Sequence, residues 1–253
     1  MFDTGAATHV GKVRKRNEDC YLVRPESGIW AVADGMGGHD AGHLASRAVV
    51  DALRLIEPAN SAADLLRRCE DSLLRANMRV REIARQRGGG IVGTTLAALL
   101  AYDGDYACVW SGDSRIYLVR SGQIVQLSRD HTEVQELVAA GVISPQEART
   151  WAGRNVITRA IGAFDSPELE MEDGTLAPGD VFVICSDGLT NYVADDEIRD
   201  CVATSPPQRA CETLISLTLD RGAADNVTVV VVRYQPEIPS AAQVDGGRRD
   251  LWE

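Results

Sequence analysis

The sequence has 253 residues, 45% of them hydrophobic, so it can fill the core of one large domain or two small ones and is not disordered as a whole. Asp and Glu outnumber Lys and Arg by 37 to 26, and the net charge of −11 argues against a surface that binds nucleic acid by neutralising phosphates. No apolar run approaches the roughly 20 residues of a membrane span, and the first residues lack the features of a secretory signal. We therefore expect a cytoplasmic protein with neither nucleic acid nor membrane as a partner.

The first third of the chain predicts a β-hairpin followed by two amphipathic helices. The runs Cys20–Val23 and Ile29–Ala33 flank a Pro-Glu-Ser-Gly turn and predict the hairpin, and a further strand is predicted before it at Ala6–His9. Apolar residues at helical spacing predict helices over Ala41–Ile56 and Ala62–Arg87. Each helix is expected to cover one face of a sheet.

The middle of the chain contains four strand-like runs separated by short Gly-containing turns. They are Thr94–Tyr102, Tyr106–Ser111, Ile116–Arg120 and Ile124–Leu127. Because each run is joined to the next by a turn of a few residues, we predict one antiparallel meander.

The last third mixes short helices and strands. Helices are predicted at Thr132–Ala140, Pro145–Trp151, Asp195–Ala203 and Pro207–Asp220, and strands at Glu168–Glu172, Val181–Cys185 and Val227–Tyr234. Since the helices come in pairs and do not alternate with the strands, we predict an α+β fold with antiparallel sheets covered by helices. Pro236–Glu253 has no apolar periodicity and predicts a flexible C-terminal tail, which leaves residues 1–235 as the domain.

Four Asp residues stand at the ends of predicted strands, three of them beside Gly. They are Asp34, Asp113, Asp187 and Asp225. A carboxylate at the mouth of an apolar strand is poorly solvated, so it commonly binds a cation or caps backbone amides. Oxygen ligands suit Mg²⁺ and Mn²⁺, and Gly35, which lacks a Cβ, can bring its own carbonyl close to an ion. The alternative for each Asp-Gly pair is an ordinary turn.

A basic cluster directly precedes two carboxylates in Arg14-Lys15-Arg16-Asn17-Glu18-Asp19. In an acidic chain this cluster is a local exception that attracts anions, and Arg is suited to bidentate contact with phosphate. A solvated surface is the alternative. No nucleotide-binding glycine loop, nucleophile elbow or kinase motif is present in the sequence.

Eight motifs, in this order, resemble those of the metal-dependent type 2C (PPM) protein serine/threonine phosphatases, and those of the compact bacterial members most. They are Arg14-x-x-x-Glu18-Asp19, Asp34-Gly35-Met36-Gly37-Gly38, Gly93-Thr94-Thr95, Ser111-Gly112-Asp113-Ser114-Arg115, Asp130-His131, Arg154-Asn155-Val156-Ile157-Thr158-Arg159-Ala160-Ile161-Gly162, Ser186-Asp187-Gly188-Leu189 and Asp225-Asn226-Val227-Thr228. The resemblance runs from about residue 5 to 233. It implies a sandwich of two antiparallel β-sheets flanked by helix pairs.

The resemblance also implies a centre of two Mn²⁺ or Mg²⁺ ions. Asp34 would bridge the two ions, Asp187 and Asp225 would complete one of them, and the Gly35 carbonyl would bind the other. Bacterial relatives often bind a third, weaker ion, for which Asp113 and Asp187 are the matching positions.

Other residues acquire implied roles from the same resemblance. Glu18 and Asp19 would act through metal-bound waters, Arg14 would hold the substrate phosphate, and residues 142–164 would form a flap beside the site. A water shared by two divalent ions has a lowered pKa and attacks the phosphorus directly. Some family members have His after the first Asp-Gly where this chain has Met36, and since His39 is not assumed to replace it, a metal-bound water is the expected proton donor.

The function implied is metal-dependent hydrolysis of phosphoserine and phosphothreonine in proteins, opposing a Ser/Thr kinase. One alternative is a catalytically silent phosphatase-like domain that binds phosphoproteins, and the presence of all four strand-end Asp residues argues against it. A second alternative is a hydrolase of small phosphoesters or nucleotides, but a chain with 5% aromatic residues offers no aromatic-rich loop for a nucleoside. The sequence does not determine the substrate, the partner kinase or the choice between Mn²⁺ and Mg²⁺, and a monomer is expected in the absence of heptads.

Overall fold

Two antiparallel β-sheets stack face to face in the computed structural model, which describes residues 1–38, 41–148 and 150–236. The strands are β1 (Phe2–His9), β2 (Asp19–Arg24), β3 (Ile29–Gly37), β4 (Val92–Thr94), β5 (Leu96–Tyr102), β6 (Asp105–Ser111), β7 (Arg115–Arg120), β8 (Gln123–Gln126), β9 (Glu170–Thr175), β10 (Val181–Cys185) and β11 (Val227–Tyr234). The first sheet has the order β1-β11-β10-β7-β8, and the second has the order β2-β3-β5-β6-β9 with β4 paired to β3. The predicted α+β sandwich is confirmed.

Helices cover the outer face of each sheet. The helices are α1 (Gly42–Arg54), α2 (Ala62–Gln86), α3 (Glu133–Ala139), α4 (Pro145–Ala148), α5 (Asp187–Thr190), α6 (Asp195–Thr204) and α7 (Pro207–Asp220). The pair α1 and α2 packs on the second sheet, and the pair α6 and α7 packs on the first. Among the described residues, none of these helices combines the length and apolarity that crossing a membrane needs.

The central strands are apolar on both faces because each face packs against a different layer. Along β3, Ile29 and Ala31 pack toward α1 and α2, whereas Trp30 and Val32 pack toward the opposite sheet. Successive side chains of a strand point to opposite faces, so a strand with two buried faces becomes a continuous apolar run. Burial of each large side chain stabilises the fold by roughly 1.5–3 kcal/mol.

The predicted four-stranded meander is wrong. The strands β5 and β6 pair in the second sheet, whereas β7 and β8 pair in the first. The chain crosses between the sheets at Gly112, where φ is +106° and a Cβ would lie 2.7 Å from the Cγ2 of Thr95. The Ser114 hydroxyl is 2.7 Å from the Thr95 hydroxyl. Gly112 and Asp113 resemble a hairpin turn in the sequence, but these contacts lead the chain from one sheet to the other. Asp113 therefore lies between the two sheets.

Two predicted strands have other bounds in the structure, and most of the predicted tail lies outside the described residues. The predicted strand Thr94–Tyr102 divides at Thr95 into β4 and β5, and the predicted Glu168–Glu172 strand is shifted to β9. Of the predicted tail at 236–253, only Pro236 is among the described residues. The division into a domain and a tail stays a prediction.

Candidate active site

Five carboxylates from both sheets converge at one end of the sandwich. Asp34 lies on β3 directly opposite Asp19 of β2, and Asp113 lies in the crossover between the sheets. Asp187 is the first residue of α5, directly after β10, and Asp225 precedes β11. The negative charges of the other four all act on Asp34 and raise its pKa. The strand-end Asp residues identified in the sequence are thus brought together.

The cluster carries more negative charge than the surrounding protein compensates. Burial, followed by the charges of neighbouring carboxylates, holds the pKa of Asp34 well above its usual range. Burial and Asp187 raise the pKa of Asp113 to about 8. Burial raises the pKa of Asp19 to about 6 although hydrogen bonds from Thr228 and Ser186 oppose the shift. Such mutual repulsion is the electrostatic condition that a bound cation relieves.

The raised pKa of the buried Asp113 carboxyl should make the stability of the metal-free protein depend on pH. Because folding raises the pKa of Asp113 to about 8, the stability that the protonated carboxyl contributes is fully present below its ordinary pKa of about 4 and is lost as pH rises from there to about 8. In EDTA, wild type and Asp113→Asn should therefore have similar melting temperatures near about pH 4, and the variant should become increasingly the more stable of the two as pH rises to about 8. Thermal unfolding across this range measures the difference, and a constant difference at all pH values would contradict the prediction.

The backbone of Asp34 is held by two threonines. Its N–H donates to the Thr95 hydroxyl at 2.9 Å, and its carbonyl accepts from the Thr94 hydroxyl at 2.9 Å and from the Thr95 N–H at 2.8 Å. Thr95 uses its side chain for Asp34 and Ser114, which explains why the strand ladder breaks between β4 and β5. The Gly-Thr-Thr motif therefore positions the central carboxylate.

Two buried carboxylate oxygens at the site have no partner. Asp19 accepts hydrogen bonds at Oδ2 from the hydroxyls of Ser186 at 2.8 Å and Thr228 at 2.7 Å, but its Oδ1 accepts none. Glu18 Oε1 is likewise buried and unpartnered. Buried polar atoms in native structures are almost always satisfied, so these two oxygens point to a ligand or to ordered water.

Sequence reasoning assigned no role to Asn226, which anchors the loop that carries the predicted phosphate site. Its Oδ1 accepts from the Glu18 N–H at 2.8 Å, and its Nδ2 donates to the carbonyls of Val10 at 2.9 Å and Arg16 at 3.0 Å. Asn226 thereby fixes residues 10–18 beside Asp225. Its position directly after a strand-end Asp is the signal in the sequence that could have identified it.

Arg14 lies at the exposed edge of the site, with 53% of its side chain accessible. Its Nη2 donates to Asp225 Oδ2 at 2.6 Å, which makes Asp225 the one predicted ligand paired with a cation among the described residues. A half-exposed guanidinium beside a carboxylate cluster is placed to bind an incoming anion.

Gly35 is needed for close backbone packing. A Cβ at this position would lie 2.1 Å from the Gly42 carbonyl oxygen and 2.7 Å from that of Glu18. The Gly35 N–H also donates to the Glu18 carbonyl at 3.2 Å. Any side chain at residue 35 would push apart the start of α1 and the segment that carries Glu18. The role predicted for the Gly35 carbonyl at an ion stays a prediction.

His131 supports the crossover that carries Asp113. The buried Nδ1 of His131 accepts a hydrogen bond from the Gly112 N–H at 3.1 Å, and the backbone N–H of His131 donates to the Gly112 carbonyl at 2.9 Å. Beside this support lies a cavity of about 700 Å³ whose wall includes Asp113, Asp187 and Arg154. Part of the predicted flap therefore borders the carboxylate cluster.

The donor set fits a hard divalent cation. All the candidate ligands are oxygens, and two further carboxylate oxygens at the site, Glu18 Oε1 and Asp19 Oδ1, are buried and unpartnered. Within the described ranges, no three or more His, Cys, Asp or Glu side chains are arranged to hold an ion by themselves. Mg²⁺ and similar ions keep several waters and bind through one or two carboxylates, so they do not need a complete cage of side chains. The residues present therefore fit such an ion.

Comparison with known proteins identifies the family. The profile of the family described as "Protein phosphatase 2C" matches residues 7–227. "Serine/threonine protein phosphatase PstP" of Mycobacterium tuberculosis is 37% identical over 223 residues, which are 87% of this chain and 43% of PstP. "Protein phosphatase PhpP" of Streptococcus pneumoniae is 35% identical over 242 residues, which are 91% of this chain and 96% of PhpP. The chain thus spans less than half of PstP and nearly all of PhpP.

Solved structures agree in fold. PppA, described as a key regulatory component of T6SS in Pseudomonas aeruginosa, superposes with a TM-score of 0.85 at 42% identity, covering 92% of this chain and 97% of PppA. The catalytic domain of PstP in complex with two manganese ions gives a TM-score of 0.82 at 35% identity. The match covers 93% of this chain and 99% of the PstP chain. With the carboxylate cluster at the end of the same sandwich, these matches lead to one conclusion. The chain belongs to the protein phosphatase 2C family.

Proposed function

We propose that this chain hydrolyses phosphoserine and phosphothreonine in proteins, using two Mn²⁺ or Mg²⁺ ions bound at the carboxylate cluster. The observation that carries the proposal is the convergence of five carboxylates with two buried, unpartnered oxygens. Family membership supports it, as does the PstP catalytic domain described with two manganese ions. When bound, such ions lower the pKa of a water molecule and neutralise phosphoryl charge.

We propose the ligand roles that the resemblance implied. Asp34 would lie between the two ions, with the Gly35 carbonyl on one of them and Asp187 and Asp225 on the other. Asp113 with Asp187 would hold the third, weaker ion. Because Asp225 is paired with Arg14, an ion held by Asp225 would compete with the guanidinium for the same carboxylate.

The chain's own residues supply orientation and charge. Arg14 binds the phosphoryl oxygens of the substrate through charge-assisted hydrogen bonds. Glu18 Oε1 and Asp19 Oδ1 are buried without partners, and they would orient water molecules at the site. Thr94 and Thr95 hold Asp34 in place. His39, which the sequence left as an uncertain proton donor, lies outside the described residues.

Phosphate release from a phosphothreonine peptide tests the function. We expect release with Mn²⁺ and with Mg²⁺, none with EDTA, and a sharp reduction in Asp225→Asn. Asp51→Asn removes the same charge on the exposed side of α1 and should behave like wild type. Absence of release from folded protein under every metal would instead favour the silent phosphoprotein-binding domain.

Replacing Arg14 by Ala should weaken substrate binding more than it slows turnover. Loss of the charge-assisted contact should raise KM for a phosphopeptide about tenfold while kcat changes less than about threefold. Steady-state kinetics with saturating Mn²⁺ measures both constants, and Lys15→Ala serves as the neighbouring control. A fall in kcat at unchanged KM would place Arg14 in transition-state stabilisation instead.

We propose the biological setting from membership of the family. The substrates would be proteins phosphorylated by a Ser/Thr kinase in a cytoplasmic signalling system, and the chain would act as a monomer with residues 1–235 as its domain and 142–164 as a flap. Dephosphorylation of a purified autophosphorylated Ser/Thr kinase from the same cell is the direct test. Failure on the kinase with activity on phosphopeptides would contradict the pairing.

A further inference from the structure

A second depression lies next to the carboxylate cluster, between the end of α2, the segment that enters β4 and residues 157–164. Its volume is about 540 Å³, and its wall is mostly apolar. The apolar side chains that line it include Met36, Ala84, Ile91, Val92, Ala160 and Phe164. Ile91 is 83% exposed and Phe164 is 44% exposed. We call this depression the α2 groove; exposed apolar surface of this kind marks an interaction site.

The rim of the α2 groove is basic, unlike the chain as a whole. In a protein of net charge −11, three arginines line the groove and, among the described residues, no Asp or Glu does. One of the three, Arg159, pairs with Glu168 and Glu170. Arg81 and Arg85 line the groove. Arg81 pairs with Asp165 and Arg85 with Glu82 at the surface. Exposed pairs contribute at most about 1 kcal/mol, so a ligand carboxylate can replace the partner of either arginine.

The α2 groove lies close to the candidate active site along β3. Met36 follows Asp34 by two residues on β3, so both side chains point to the same face roughly 7 Å apart. Gly93, which also lines the groove, is paired with Met36 across β3 and β4. An extended peptide advances about 3.3 Å per residue, so a chain whose phosphorylated residue lies at Asp34 reaches the groove within two or three residues.

We propose that the α2 groove binds the segment of a phosphoprotein substrate that flanks the phosphorylated residue, and that it selects an acidic segment with one apolar side chain. This inference rests on the proposed phosphatase function. Complementary charge is the argument for the occupant, because an acidic peptide is repelled by most of this protein's surface and attracted by Arg81 and Arg85. The apolar side chains that line the groove together with the two arginines accommodate the apolar side chain between the acidic residues of the peptide.

Two phosphothreonine peptides that differ only in their flanks test the inference, one with Glu and one with Lys around a common Leu. With Mn²⁺ at low salt, kcat/KM of wild type should be at least about tenfold higher for the Glu peptide, and the ratio should shrink at high salt. Arg81→Glu/Arg85→Glu should reverse the preference. Arg75→Glu/Arg209→Glu makes the same change in net charge away from the groove and should keep it. Ile91→Asp should lower kcat/KM for the Glu peptide.

Hydrolysis of p-nitrophenyl phosphate, which has no residues to enter the groove, separates this inference from the proposed function. No hydrolysis of any substrate by wild type would refute the function itself. If wild type hydrolyses p-nitrophenyl phosphate and has equal kcat/KM values for the two peptides, only the proposed role of the groove would be overturned. An equal loss on p-nitrophenyl phosphate and on the Glu peptide in Arg81→Glu/Arg85→Glu would also overturn it. If that variant does not fold, the test rests on wild type alone: the ratio of its kcat/KM values for the Glu and Lys peptides, and the salt dependence of that ratio.

Discussion

Replacement of Asp34 by Asn should abolish turnover and at the same time stabilise the metal-free protein. The amide keeps the shape of the carboxylate and the backbone contacts to Thr94 and Thr95, but it removes the central negative charge. Even loss of a group that only supports a ligand typically costs 10–100-fold, so loss of the carboxylate proposed to bridge the two ions should lower kcat by more than about 100-fold. Burial and its neighbours hold the pKa of Asp34 well above its usual range, which means that its ionised form destabilises the metal-free fold.

Calorimetry with and without Mn²⁺ measures both halves of this prediction. In EDTA at neutral pH, Asp34→Asn should melt at a higher temperature than wild type, and saturating Mn²⁺ should raise the melting temperature of wild type much more than that of the variant. Asp51→Asn provides the control for a change of one charge. The same Mn²⁺-induced rise in wild type and Asp34→Asn would show that Asp34 does not bind the ion, whatever happens to turnover.

The positions of the strands and of the candidate site could be predicted because both depend on local pattern. The run Val227–Tyr234 is apolar throughout, and the structure ends that strand at the same residues. Asp34 and Asp187 each close such a run, and strands that pair antiparallel in a sandwich bring their ends together. The placement of Asp34 and Asp187 at strand ends therefore follows from residues within a few positions of each carboxylate.

The division of strands between sheets could not be predicted, because it depends on contacts distant in sequence. Gly112 and Asp113 read as a hairpin turn, and only packing against Thr95 shows that the chain changes sheets there. In the same way, Asp173-Gly174 suggests a turn, yet Gly174 lies within β9 opposite Tyr106, where a Cβ would lie 2.7 Å from the phenol oxygen. Glycine is needed at residue 174 because of packing against Tyr106. A local sequence pattern cannot distinguish a glycine needed for packing from a glycine needed for a turn.

Replacement of Asn226 by Ala should damage stability and catalysis together. Asn226 is 5% exposed and makes three hydrogen bonds to the loop that carries Arg14, Glu18 and Asp19. At roughly 1 kcal/mol for each lost bond, we expect a loss of about 3 kcal/mol in the free energy of unfolding. For a chain of this length that is a fall of roughly 10 °C in melting temperature. Displacement of the loop should also lower kcat for p-nitrophenyl phosphate about 10- to 100-fold and weaken Mn²⁺ binding.

Asn77 provides a matched control for this prediction. It is fully buried and also makes three hydrogen bonds, accepting from the Gly162 N–H and donating to the carbonyls of Phe164 and Asp165. Asn77→Ala should therefore lose comparable stability while it keeps hydrolysis of p-nitrophenyl phosphate and Mn²⁺ affinity close to wild type. Equal kinetic losses in the two variants would mean that general destabilisation, and not the position of residues 10–18, accounts for the effect of Asn226.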